Sequence, residues 1–157
     1  MSHQVKLTNI TMTDVETLKQ AILDEGLTID NNGFQGYSRN YATGASHSDG
    51  KVLFGINIGG GASRYHNVPC GVVQSEDGKL HIVGDEYSVE YQGEYGLRQL
   101  SCNLQQRYGI LDTINAADAT GKWRVVEQPA ELLKWNSKED ITLIFEEEAG
   151  MTIGALA

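Results

Sequence analysis

From Leu97 onward, Leu100, Leu104, Tyr108, Leu111 and Ile114 recur at three- and four-residue spacing, and this long apolar stripe constrains the fold more than any other feature. A helix that long must bury its stripe against another layer of structure. It is expected to begin near Glu94, to turn polar at Asp118 and to close at Gly121. Gly109 inside the stripe costs about 1 kcal/mol relative to alanine and marks where a kink or an early stop would fall.

A second helix is expected over residues 14–25. Thr13-Asp14-Val15-Glu16 has the form of a capping box, with Thr13 accepting from the Glu16 N–H. Val15, Leu18 and Ile22 share one face, and Gly26 supplies the stop.

Most of the remaining chain alternates with period two. Residues 4–12 read as a strand whose phase changes at Asn9, which fits a bulge or a strand that ends early. Val52, Phe54, Ile56 and Ile58 are expected on one face, with Leu53, Gly55 and Asn57 on the other. Residues 68–74 and 80–83 flank Glu76-Asp77-Gly78-Lys79, a hairpin signal. Tyr87, Val89 and Tyr91 continue the alternation after Gly84-Asp85, and residues 123–126 and 141–145 form a hairpin with a long connection. The prediction is an α+β fold, a largely antiparallel sheet with two main helices packed on one face. It occupies one domain, 1–157, with a short tail after about residue 148.

A chain of 157 residues with 40% hydrophobic residues can bury a core without staples. The formal charge of −9, with twelve basic residues scattered singly, argues against a nucleic-acid polymer as partner. It also disfavours an anionic membrane surface. No apolar run approaches the length of a spanning helix, and the N-terminus has no secretory pattern. Cys70 and Cys102 lie in apolar surroundings without C-x-x-C spacing and read as reduced, buried thiols. These features point to a cytoplasmic protein, in the host's cytoplasm if it is viral, and leave homo-oligomerisation open.

Catalytic and metal chemistry find no constellation. His3, His47, His66 and His81 form no short-spaced pair, so no metal site and no cofactor is expected. Ser63 lacks the glycine that a nucleophile elbow needs after the serine. The surviving feature is Gly59-Gly60-Gly61-Ala62-Ser63-Arg64-Tyr65-His66. Successive glycines after a strand can aim backbone N–H groups at an anion, and Ser63 and Arg64 add donors. Tyr65 and His66 offer faces for an organic group. Arg39, interleaved with Tyr37 and Tyr41, is a further candidate for a planar, anionic ligand. A plain hairpin connection and an ordinary exposed strand explain the same residues.

The opening Met1-Ser2-His3, the helix carrying Asp14, Leu18, Ala21-Ile22 and Gly26, the strand Phe54 to Gly59, Gln106-Arg107-Tyr108 and Gly121-Lys122-Trp123 with Glu127 follow a familiar order. In this order the chain resembles a divergent member of the hypothetical chloroplast reading-frame thirty-five family, found in plastids, cyanobacteria, other bacteria and some of their viruses. That family has no assigned function. Its members can be encoded beside an AAA-type ATPase, so the resemblance implies an accessory role. The chain departs from the family at Gln4, where an aromatic is usual, and in the glycine-rich stretch after Ile58. Two functions follow: a non-enzymatic module that holds or sequesters an anionic, nucleotide-like small molecule, or an accessory protein whose acidic surface engages a protein partner.

Overall fold

The first helix is capped by Asp14 rather than by Thr13. In the computed structural model, which describes residues 2–7, 10–36, 39–58, 68–92, 96–121, 123–127 and 141–147, α1 spans Val15–Asp24. Asp14 Oδ2 accepts from the Thr17 N–H at 2.9 Å and from Thr17 Oγ1 at 2.5 Å. A carboxylate wins this position because it satisfies two donors and faces the positive end of the helix. At the other end Gly26 takes φ +80°, and the Leu27 N–H reaches back to the Ile22 carbonyl.

The central sheet is antiparallel throughout. β2 (Thr28–Asp30), β6 (Gly50–Asn57), β7 (Cys70–Gln74) and β8 (Leu80–Gly84) lie in that order, and β5 (Ser46–His47) adds to β6. The predicted hairpin joins β7 to β8, with Gly78 at φ +82° in its turn. β6 carries a correction. Its register with β7 shifts between Val52 and Phe54, and this bulge at Leu53 turns Val52 over. Phe54 and Ile56 face the main core, while Val52 faces the opposite side with Val73 and Val83.

The main core lies between this sheet and two helices, as predicted. Leu18, Ala21 and Ile22 of α1 and Leu100, Leu104 and Tyr108 of α3 (Leu97–Thr120) pack on Phe54, Ile56, Cys70 and Val72. Helix α3 runs through Gly109 without a break and ends at Gly121, φ +65°. A smaller antiparallel pair, β3 (Gly33–Gln35) and β4 (Asn40–Ala42), covers the other face of the sheet. Gly55 and Gly71 make that close approach feasible: a Cβ at Gly55 would run into the Gly33 carbonyl, and one at Gly71 into the Phe34 ring.

A further expectation is corrected. Tyr87, Val89 and Tyr91 do not continue a strand but lie in a short helix, α2 (Glu86–Gln92). Asp85 starts it: Ser88 Oγ donates to Asp85 Oδ2 at 2.7 Å, the Val89 N–H bonds the Asp85 carbonyl, and Val89 is buried in the main core. The first strand follows the second of the two readings of the phase change near Asn9. β1 (Ser2–Leu7) ends early, and Met12 is buried where its carbonyl accepts from the Leu80 N–H. β1 pairs with β10 (Ile141–Glu147), which pairs with β9 (Trp123–Glu127), in a separate three-stranded antiparallel sheet. Among the described residues, no helix is long and apolar enough to cross a membrane. The tail after residue 148 lies outside the described residues.

Candidate functional site

Six of the predicted ligand residues, Gly59, Gly60, Gly61, Ser63, Arg64 and Tyr65, lie outside the described residues, as does His66. The structure does place the two ends of their connection. Ile58 leaves β6 against the main core, and Val68 returns beside β3, where its carbonyl accepts from the Gln35 N–H at 2.8 Å. The next residue, Gly36, donates its N–H to the Arg39 carbonyl at 2.9 Å. The turn that carries Arg39 therefore sits one backbone hydrogen bond beyond the point where the glycine-rich connection returns.

Arg39 is exposed, and its guanidinium lies over the Tyr41 ring, 4.7 Å from the centroid. The ring is itself stacked on Phe34 at 5.1 Å, with 23° between planes. His47 completes the group, 4.9 Å from Tyr41 and 6.2 Å from Phe34. Its Nδ1 accepts from the Asp49 N–H at 3.0 Å, so the neutral ring carries its proton on Nε2. An arginine over an aromatic face keeps N–H groups available to an anion. His47 and Phe34 were not candidates in the sequence. They reach Tyr41 from other strands, and no local spacing signals that meeting.

A groove of about 840 Å³ opens between the β5–β6 and β7–β8 turns. Asp49, Glu76 and Asp77 line it against Lys51, with His47 and Ser75 beside them. Three carboxylates to one ammonium make it unsuited to an anion. Ser75 Oγ lies 3.1 Å from His81 Nε2, a serine–histidine contact. The hydroxyl also makes a short hydrogen bond to the Asp77 carboxylate, which holds that carboxyl below its usual range. Its proton is thus engaged in the turn, and the contact reads as turn structure rather than an activated nucleophile. Among the described residues, no group of three or more His, Cys, Asp or Glu side chains is arranged to hold a metal ion.

Elsewhere the titratable groups are structural. Arg107 Nε meets Glu25 Oε1 at 3.4 Å and ties the end of α1 to α3. The Glu25 side chain is 1% exposed and its Oε2 has no partner, and burial pushes its carboxyl up despite the arginine. Cys70 and Cys102 are both free and buried, and desolvation pushes the Cys70 thiol up to about 12. Comparison with protein-family models, curated proteins and solved structures returns no match.

Proposed function

We propose that the chain is a non-catalytic binding module for a phosphorylated or nucleotide-like small ligand, held between the β3–β4 turn and the glycine-rich connection. The observation that carries this reading is the exposed Arg39 guanidinium lying on Tyr41, next to the return of that connection at Val68. In a chain of charge −9, an anion finds purchase only where a guanidinium and backbone donors converge. Arg39 and Arg64 would take the anionic part, with Gly59, Gly60, Gly61 and Ser63 supplying short-range donors. Tyr65 or His66 would meet the organic part. An amide and side-chain NMR titration with mono-, di- and cyclic nucleotides tests this. Shifts should centre on residues 35–41 and 58–68; shifts confined to the groove at Asp49 and Glu76, or none, would count against it.

The second reading is a protein partner with a basic surface, and it draws on the carboxylates Asp49, Glu76 and Asp77 gathered at the two hairpin turns. Charge reversal at Glu76 would weaken such a complex and leave nucleotide binding intact.

A further inference from the structure

We infer that Asn32-Gly33, at the turn from β2 into β3, is a site of spontaneous covalent modification, where Asn32 deamidates through a cyclic imide to aspartate and isoaspartate. This does not depend on the ligand reading. A glycine after asparagine favours the ring closure, because no Cβ obstructs attack by its backbone nitrogen and the two groups are already held within one chain. Asn32-Gly33 is the one such pair in the sequence. The fold leaves both reacting groups uncommitted. Asn32 is exposed, and its side-chain amide makes no hydrogen bond among the described residues. The Thr43 N–H donates to the Asn32 carbonyl and the Gly36 N–H to the Arg39 carbonyl, so residues 32, 34 and 36 are those that bond toward β4. Gly33 and Gln35 turn their N–H groups the other way. Gln35 reaches the Val68 carbonyl, whereas the Gly33 N–H has no acceptor among the described residues. Gly33 is buried, but by contacts of its other atoms: the Tyr41 carbonyl fills its Cβ position, and its own carbonyl fills that of Gly55. The Asp77-Gly78 turn differs. There the Gly78 N–H is held by the Ser75 carbonyl at 2.9 Å, and the carboxylate is engaged by Ser75 and Lys79.

The Gly33 nitrogen, its proton lost to solvent base, attacks Asn32 Cγ. The N–Cγ bond forms, the Cγ–Nδ2 bond breaks, and Nδ2 takes a proton from solvent and leaves as ammonia. Water then opens the five-membered imide. Cleavage of the N–Cγ bond gives aspartate, and cleavage between the Gly33 nitrogen and the Asn32 carbonyl carbon gives isoaspartate. Nothing is oxidised or reduced, and water is the sole co-reactant. Either product adds a negative charge beside Asp30, whose carboxylate accepts from the Asn32 N–H at 2.8 Å. In isoaspartate the backbone is one carbon longer, and the carbonyl that accepted from Thr43 becomes a free carboxylate off the main chain. With the Gly33 carbonyl seated on Gly55, the added length loosens the β3–β4 pair that carries Phe34 and Tyr41.

The test is incubation of the intact folded chain at mildly alkaline pH, read by peptide mass, with electron-transfer fragmentation to separate isoaspartate from aspartate. Asn31 and Asn115, both exposed and neither followed by glycine, are the internal controls. Asn32 should deamidate at least about tenfold faster than either, since only its neighbour lacks a Cβ. Both products should form, and the rate should rise with pH. Its rate in the folded chain should stay within about threefold of that in the urea-unfolded chain, as for a backbone nitrogen that the fold does not tie down. The isoaspartate form, separated by ion exchange, should unfold at lower urea than Asn32→Asp, which carries the charge without the added carbon. A rate no greater than at Asn31 and Asn115, aspartate as the sole product, or stronger protection by the fold would each overturn the inference. Equal urea midpoints would overturn the loosening of β3–β4.

Discussion

The Tyr108 hydroxyl oxygen accepts the backbone N–H groups of both Thr13 and Asp14, at 3.1 and 2.9 Å, so α3 fixes where α1 begins. Tyr108 is 2% exposed, and Asp14 then caps the helix through its own side chain. Tyr108→Phe keeps the ring and strands two donors. It should destabilise the protein by about 1–3 kcal/mol in a urea titration. A loss under about 0.3 kcal/mol would show that water replaces the hydroxyl without penalty.

The apolar stripe of α3 makes a parallel prediction. Leu100 is 1% exposed at the centre of the main core. Leu100→Ala should cost about 2–5 kcal/mol, since truncation leaves a cavity as well as lost burial. A cost below about half a kcal/mol would mean that the stripe is not core.

Gly71 lets the Phe34 ring lie against the central sheet, because a Cβ there would meet that ring at 2.4 Å and the Phe54 carbonyl oxygen at 2.5 Å. Gly71→Ala should destabilise by about 1–3 kcal/mol, the range for forcing an atom into a packed layer. Combining it with Phe34→Leu should be less harmful than the sum of the two single changes. Strict additivity in the double-mutant cycle would contradict the contact.

Two carboxyls should pull acid stability in opposite directions. Asp14 is held below its usual range by the Thr17 hydroxyl and N–H, so its contribution is present at neutral pH and lost as pH falls through its folded value. Glu25 is raised by burial, with Arg107 opposing. The folded state therefore holds the Glu25 proton more tightly, and this contribution is full below the ordinary glutamate value of about 4.3 and lost as pH rises through the folded one. Asp14→Asn should flatten the loss of stability below about pH 4. Glu25→Gln should remove the decline just above it. Urea midpoints across the acid range check both, and a Glu25→Gln profile parallel to the natural one would contradict the assignment.

What the sequence revealed was local. Both main helices and the β7–β8 hairpin follow from spacing, glycine stops and Asp77-Gly78, and the resulting α+β fold is present. What it hid was set by contacts distant along the chain. The bulge at Leu53 depends on β7 as partner, and the pairing of β1 with β10 joins the two ends of the chain. Tyr87, Val89 and Tyr91 alternate like a strand, yet the Asp85 cap and the burial of Val89 favour a helix. Arg39 stood out because aromatics flank it in sequence. Phe34 and His47 come to the same cluster only through folding.

The most direct test of the proposed function is isothermal calorimetry of the intact chain against a panel of mono-, di- and cyclic nucleotides, repeated with Arg39→Ala and Arg64→Ala. At least one nucleotide should bind tighter than millimolar. Each variant should weaken that binding by about 1.5–3 kcal/mol, the scale of a hydrogen bond to a charged group, with the urea midpoint almost unchanged. No binding tighter than millimolar across the panel, or full affinity in both arginine variants, would contradict the account.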